Sequence, residues 1–570
     1  MISKRWTLKN VNHEKTIKLQ QELQLKHQKI CQILVQRGIE DSQNASEFFN
    51  PTLDKLHDPF LMKGMQTAVE RIEIARAQGE KILIYGDYDV DGTTSVALMY
   101  SFLREFDLNI DFYIPDRYLE GYGVSLKGID FAAENQFSLI IALDCGVTAI
   151  EQVAYAKNVG VDFIICDHHL PSETIPDAIA VLDPKQVDCP YPFKELSGCG
   201  VGFKLCQALC MHWDCSKEKV YQLLDLVAVS IASDIVPIIE ENRILAYFGL
   251  KKLNENPNNG LKSLIEWANL EEKNITISDV VFSLGPRINA PGRMAHAKAS
   301  VEILISEDPS IGRRMAESLN LVNDKRRATD ELMTSEALES IALDINIGDK
   351  KTIVLHNPDW HKGVVGIVAS RLVEKFYRPT IIFSETDGVL TGSARSIKGY
   401  SIYQGIKTCE HLVNQFGGHD FAAGVSMPKA NFNEFVKTFE NEASKIITNE
   451  MLIPEIEIDA ELLFNEVTMS FFNILNRMAP FGPHNMQPVF VTKNLKDAGG
   501  TKIVGKNHIR FHLKDESGKT FNGICFGLAD WYQIDDIKRN PIDICYSIQE
   551  NHYNGKVTLD LMIKDIKIID

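Results

Sequence analysis

Five short apolar runs dominate the hydrophobic pattern of the first third of the chain: 81–85, 110–114, 139–143, 163–166 and 179–182. Runs of this length and continuity read as buried strands. Helical patterns at 93–106, 125–135 and 148–158 separate the first four. Strands alternating with helices of that length predict parallel βαβ units, so every strand presents its carboxyl end on one edge of the sheet, where ligands bind.

Elsewhere the pattern changes character. Residues 1–50 read as mostly helical, with Leu19, Leu23 and Leu25 as weak periodic signals and no chemistry. A helical pattern over 220–229 delivers Asp234 at its end, and Asp225 within it is expected to face solvent or cap a neighbour. Between Gly312 and Gly348 there is neither glycine nor proline, and apolar residues recur at Met315, Leu319, Val322, Leu332, Leu338 and Ile341. That predicts one helix of roughly 50 Å, a strut between domains with a basic face, against the alternative of a packed hairpin. Strands at 352–355, 379–383 and 389–393 with a helix at 364–376 form a second α/β region. After the breaker cluster 479–483, short strands at 489–491, 508–513, 520–526 and 542–546 suggest a small barrel. The expected division is therefore 1–50 helical, 51–305 parallel-sheet domain, 306–347 connecting helix, 348–450 second α/β domain and 451–570 barrel.

Chemistry concentrates at the predicted strand ends. The first strand runs into Asp87, Asp89 and Asp91, the third into Asp144, the fourth into Asp167, His168 and His169, and the fifth into Asp183. Thr93, Thr94 and Ser95 offer N-cap oxygens to the following helix. Crowded carboxylates repel one another unless a cation neutralises them, and oxygen-rich sites suit Mg²⁺ or Mn²⁺. Acidic turns that merely shape loops are the plain alternative. Asp87, Asp89, Asp91, Asp144, His168 and His169 all fall on one predicted edge, however, which favours a metal cluster.

Composition narrows the class. A chain of 570 residues, 45% hydrophobic, can bury several cores. No charged-then-apolar leader opens it and no apolar run approaches the ~18–20 residues needed to span a bilayer, so a cytoplasmic protein without membrane contact is expected. The eleven cysteines form no CxxC pair, and Cys199, Cys206, Cys210 and Cys215 read as core thiols. A net charge of −17 argues against general nucleic-acid affinity but leaves room for a local basic channel. Arg287, Asn289 and Arg293, in a loop-like stretch rich in Gly and Pro, are candidates for phosphate contact, whereas the N-terminal lysines read as a solvated face.

The order Gly86-Asp87-Tyr88-Asp89-Val90-Asp91-Gly92, Leu143-Asp144-Cys145-Gly146, Asp167-His168-His169 resembles the DHH phosphoesterase superfamily. Further stretches, 232–237, 285–293, Gly392-Ser393-Ala394-Arg395-Ser396 and Phe416-Gly417-Gly418-His419, are similar to its RecJ family of bacterial single-strand-specific 5′→3′ DNA exonucleases, from about Tyr85 to the C-terminus. The resemblance implies a DHH domain and a DHHA1 domain joined by the long helix, then an OB-fold that stacks bases on some of Phe511, Phe521, Phe526, Trp531 and Tyr532, about half of which must be core. It implies two-metal catalysis, with ions ~3.5–4 Å apart clamping a phosphodiester. By the same resemblance Asp89 and Asp144 hold one ion, and Asp91, Asp144, His168 and Asp234 the other. Asp87 supports them, and His169 contacts the scissile phosphate or orients a ligand. Arg117, Ser393 and Arg395 hold the 5′ end, and His419 can donate to a phosphate. The implied partners are single-stranded DNA, a single-stranded-DNA-binding protein and a RecQ-type helicase, acting with a monomer in recombination and repair. The alternative is a small-molecule or oligonucleotide phosphoesterase of the same superfamily.

Overall fold

The computed structural model describes residues 4–343, 348–553 and 555–569. The chain divides into two compact units: Ser46–Arg326 with Met478–Met486, and Met1–Ala45, Arg327–Arg477 with Gln487–Asp570.

The first unit is built on a five-stranded, wholly parallel sheet in the order Asn109–Tyr113, Lys81–Gly86, Phe137–Leu143, Asp162–Cys166, Ala180–Leu182. Successive strand residues point to opposite faces, so the continuous apolar runs feed two cores. Ile82, Ile84, Ile141 and Leu143 face the helices Val90–Leu103, Gly198–His212 and Leu224–Ser233. Leu83, Tyr85, Ile140 and Ala142 face Leu126–Glu134 and Ile150–Asn158. All the predicted strand ends lie on one edge.

Several expectations are corrected. The helix after the first strand begins at Val90, and Asp89 is its N-cap, accepting from Gly92 N at 3.0 Å. Thr93, Thr94 and Ser95 lie inside it, because the carboxylate already satisfies the first-turn amide. Asp225 does not face solvent: it is buried, paired with Lys252 at 2.9 Å, and accepts from Asn258 N, which caps the next helix. The expected loop around Arg287 is a helix, Gly285–Met294, entered through a π-helical turn at Val280–Leu284. Pro286 stands at its first turn, where no N–H is required. Cys199 and Cys206 are buried thiols, but Cys210 and Cys215 are joined as a disulfide.

The long element is one continuous helix, Pro309–Leu343, of 35 residues or about 52 Å, so the hairpin alternative falls. The expected span to 347 ends in residues 344–347, which lie outside the described ones. The division between units falls within this helix. Its later half packs inside the second unit, where Asp330 pairs with Arg371 at 2.6 Å and Glu336 accepts from Trp360 Nε1 at 2.7 Å.

The second unit holds a five-stranded mixed sheet in the order Gln415–Gly418, Ala422–Pro428, Val389–Arg395, Thr380–Thr386, Ile353–His356. It also holds a seven-stranded sheet that curls into a partly closed barrel, because Phe490–Asp497 pairs with Ile542–Tyr553 and again with His508–Lys514. The N-terminal segment is not purely helical: Arg5–Leu8 is a strand pairing in parallel with Glu455–Ile458. In the barrel Phe511 is buried, Phe521 packs on Phe464 with ring centroids 4.9 Å apart, and Tyr532 donates to Ile566 O. Phe526 and Trp531 are about half exposed. Among the described residues no helix is long and apolar enough to cross a membrane.

Candidate metal centre

Asp87, Asp89 and Asp91 leave the Lys81–Gly86 strand and enter the first turn of the next helix, which holds three acids in one tight turn. Asp91 is buried, and its two oxygens accept from Gly198 N at 2.7 Å and Cys199 N at 2.9 Å, the N-terminus of the Gly198–His212 helix. Ser230 Oγ adds a third bond at 2.6 Å. Helix N-termini carry unpaired N–H groups and partial positive charge, so this end is built to hold a carboxylate.

Asp144 follows its strand in the left-handed region, at φ 59°. A Cβ on Gly198 would lie 2.6 Å from Asp144 Oδ1, so the carboxylate rests directly on that glycine. Asp234 arrives as the C-cap residue of Leu224–Ser233. His168 closes the ring: its Nε2 lies 3.2 Å from Asp144 Oδ1, 3.6 Å from Asp234 Oδ2 and 3.8 Å from Asp91 Oδ2.

These contacts are not hydrogen bonds. Both ring nitrogens of His168, Oδ1 of Asp144 and Oδ2 of Asp87 are buried without a hydrogen-bond partner. Buried polar atoms are almost always satisfied, so a cluster of orphans marks a place for a further group. Burial, reinforced by neighbouring carboxylates, pushes Asp87 and Asp144 well above the usual range. Burial with the charges of Asp91 and Asp89 takes Asp234 to about 8. Burial lowers His168, favouring the neutral imidazole that ligates metals. Oxygen donors with one imidazole fit a hard or borderline divalent cation. Two groups have ligand atoms close enough to share an ion: Asp91, His168 and Asp234, and Asp144, His168 and His169.

His169 is held differently. Its Nδ1 lies 2.7 Å from Asp167 Oδ1, and its Nε2 3.0 Å from the Tyr122 hydroxyl. Burial opposes its charge, but the bond and charge of Asp167 outweigh that and raise it to about 9. Asp167 is itself kept down near 2, because His169 and the Val147 amide overcome its burial. His169 is thus an imidazolium braced by the Asp167 carboxylate beside the open acids. Asp167 heads the tripeptide and positions His169, a role not apparent from the sequence. Ser197 and Ser230, which bond each other at 2.6 Å behind Asp91, carried no sequence signal.

All seven expected site residues, Asp87, Asp89, Asp91, Asp144, His168, His169 and Asp234, therefore meet at one sheet edge. Arg117 joins them, stacked on Tyr88 at 4.8 Å. Arg293 lies at the end of the neighbouring helix, where its carbonyl accepts from Tyr118. Arg287 is turned to Ser283 O and Asn320 Oδ1, and Asn289 is half-buried with Oδ1 unpaired. Ser393, Arg395 and His419 belong to the other unit. There Arg395 donates to Ser393 Oγ at 2.9 Å, and both lie within about 3 Å of a Cβ built on Gly366, in the first turn of the Val365–Phe376 helix. His419 is exposed on the turn after Gln415–Gly418.

Known proteins resemble this chain along most of its length. The DHH family N-terminal domain matches residues 81–231, the DHHA1 domain 349–445 and the RecJ OB domain 458–565. The single-stranded-DNA-specific exonuclease RecJ of Bacillus subtilis is 35% identical over 567 residues, covering 99% of this chain and 71% of that protein. The chain belongs to the RecJ family. The Escherichia coli RecJ exonuclease is 32% identical, covering 89% of this chain and 90% of its own. The crystal structure of Thermus thermophilus RecJ in complex with Mn²⁺ superposes with a TM-score of 0.85 at 25% identity, over 99% of this chain and 80% of that one. A second solved RecJ exonuclease, bound to manganese, gives 0.60 at 31% identity over 70% and 97% of the two chains. The parallel-sheet domain, the second α/β domain and the barrel are thus the DHH, DHHA1 and OB domains of a RecJ protein.

Proposed function

We propose that this chain removes nucleotides from single-stranded DNA in the 5′→3′ direction by metal-dependent hydrolysis, in cytoplasmic recombination and repair. The observation that carries the reading is His168 Nε2, unpaired and facing Asp91, Asp144 and Asp234 at 3.2–3.8 Å. Asp89 and Asp144 would hold one divalent ion, and Asp91, Asp144, His168 and Asp234 the other, so that Asp144 serves both. Mn²⁺ or Mg²⁺ bound there supplies Lewis acidity toward a phosphodiester oxygen.

The chain's own groups do the rest. His169, charged and braced by Asp167, donates to the scissile phosphate. Arg117 and Arg293 offer cations beside Tyr88, with Arg287 and Asn289 one to two turns earlier on the same helix, and Asp87 supports the acids from behind. For polarity the reading relies on Ser393, Arg395 and the helix start at Gly366, where a hydroxyl, a guanidinium fork and backbone N–H groups suit a terminal phosphate. His419 is a further phosphate donor. An exonuclease confined to single strands needs its duplex opened, which is the task of a RecQ-type helicase and a single-stranded-DNA-binding protein acting with a monomer of this chain.

The test is release of mononucleotides from 5′-labelled single strands with and without Mn²⁺, beside duplex DNA and pyrophosphate. Metal-dependent release from single strands alone supports the reading. Preference for pyrophosphate or dinucleotides would return the chain to the small-molecule phosphoesterases of the superfamily.

A further inference from the structure

The π-helical turn Val280–Leu284 presents a side chain that no part of the metal centre uses. Val280 and Leu284 are buried and Val281 packs against the main core, yet Phe282 between them is 77% exposed. It is the most exposed phenylalanine among the described residues. A π turn inserts one residue relative to an α-helix and turns the residues after it, and such turns recur at functional sites. Here the turn keeps Val280, Leu284 and Ile288 buried, at four-residue spacing, while Phe282 stays in solvent.

The helix after the turn fixes where Phe282 stands. Gly285, three residues on, lies so near Ser233 that a Cβ there would be 3.0 Å from Ser233 Oγ. Ser233 is the residue before Asp234. Gly292, at the far end of the same helix, would place a Cβ 2.6 Å from Tyr88 O, between Asp87 and Asp89. The helix Gly285–Met294 therefore runs along one side of the acidic cluster, from Asp234 to Asp89. Phe282 sits about one turn beyond the Asp234 end. Arg287 donates to Ser283 O at 2.7 Å and to Asn320 Oδ1 at 3.1 Å, so its guanidinium is anchored to the residue that follows Phe282 in the chain.

From this placement we propose that Phe282 is a stacking platform for a nucleobase of the single strand, on the Asp234 side of the metal centre. The inference rests on the exonuclease reading and adds a substrate-binding residue to it. A phenyl ring stacks on any base without reading its edges, which suits an enzyme that must pass every sequence. Arg287, anchored at Ser283 O, is the cation this placement offers to the phosphate of a stacked nucleotide. A lone exposed phenylalanine is otherwise an ordinary surface feature, so the distinction must come from the base itself.

The experiment compares the full-length protein with Phe282→Ala, Phe282→Leu and Phe282→Trp. Binding of fluorescently labelled single strands is read by anisotropy in EDTA, and Mn²⁺-dependent cleavage is read alongside. Strands carry one abasic nucleotide at each of the first several positions from the 5′ end in turn. Phe282→Ala is expected to weaken binding roughly five- to a hundred-fold and raise KM more than it lowers kcat. Phe282→Trp is expected to preserve binding, and Phe282→Leu to fall between. At one abasic position the wild-type protein should lose affinity by a similar factor, and the difference between it and Phe282→Ala should vanish. Equal binding by wild type and Phe282→Ala overturns the proposal, as does a defect undiminished at every abasic position or fully repaired by leucine. Unchanged melting temperatures confirm that each variant is folded. If wild type neither binds nor cuts single strands, it is the exonuclease reading that fails, and the two outcomes are distinct.

Discussion

Two of the places where the DHH unit buries charge treat it in opposite ways. Lys204 and Glu241 are fully buried and lie 2.6 Å apart. Glu241 also accepts from Tyr191 OH at 2.6 Å and His57 N at 2.9 Å, while Lys204 donates to His57 O at 3.0 Å. The charges cancel and both groups are hydrogen-bonded within the chain. At the sheet edge, Asp87, Asp89, Asp91 and Asp144 are buried or nearly so, and no lysine or arginine among the described residues forms an ion pair with them. Neither ring nitrogen of His168 has a hydrogen-bond partner, and Nε2 faces Asp91 and Asp144. Burial is common to both. What distinguishes a structural pair from a reactive centre is whether the lone pairs are closed by the chain or left open to something the chain does not supply.

That contrast can be broken from either side. The largest effect is expected at the open cluster: Asp144→Ala should lower cleavage by about three orders of magnitude or more at saturating Mn²⁺, since one substitution removes a ligand common to both ions. The same variant should melt at or above the wild-type temperature without metal, because a repelling carboxylate is gone. Wild-type turnover by Asp144→Ala would remove the bridging role.

At the closed pair the signs reverse. Glu241→Ala should destabilise the protein by about 3–5 kcal/mol, read in denaturant unfolding, because Lys204 is left buried and unpaired. The fraction that remains folded should cleave at the normal rate. A neutral effect on stability would mean that water reaches Lys204 and that the two sites differ less than their bonding implies.

Next in size comes the 5′ end. Arg395→Ala should slow attack on 5′-phosphorylated strands by roughly ten- to a hundred-fold, the worth of one charge-assisted bond, and affect 5′-hydroxyl strands less. Equal losses on the two substrates would place the phosphate pocket elsewhere.

The gentlest probe is pH. In the metal-free fold Asp234 holds its proton up to about 8, and Asp87 and Asp144 are shifted the same way, whereas the unfolded chain loses these protons near 4. Between those limits the native state binds more protons, so stability falls as pH rises. Melting temperatures in EDTA should drop by several degrees from pH 5 to pH 8, and Mn²⁺ should restore them more at pH 8 than at pH 5. A flat profile in EDTA would show that the acids are already neutralised within the chain.

Much of the centre was legible in the sequence because parallel strands buried on both faces are unbroken apolar runs, and the residue after each run lands on one edge. The spacing from Asp87 to Asp234 becomes irrelevant once that is known. The features that escaped reading depended on distant partners. Asp225 looked solvent-facing because Lys252, which neutralises it, lies in the next helix. Arg5–Leu8 has no strand signal of its own and is extended only because Glu455–Ile458 pairs with it. Pro286 and Pro291 suggested a loop, yet a proline in the first turn is compatible with a helix and the packing of Gly285 and Gly292 holds the rest. Asp167 was hidden for another reason: its role lies in the angle at which it holds His169, and a tripeptide carries no angles.

The most direct test of the central claim is calorimetric titration of Mn²⁺ into the metal-free wild-type protein and into Asp144→Ala. The open cluster predicts two ions per wild-type chain and loss of both at comparable affinity in the variant. Two ions bound with unchanged affinity by Asp144→Ala would contradict it.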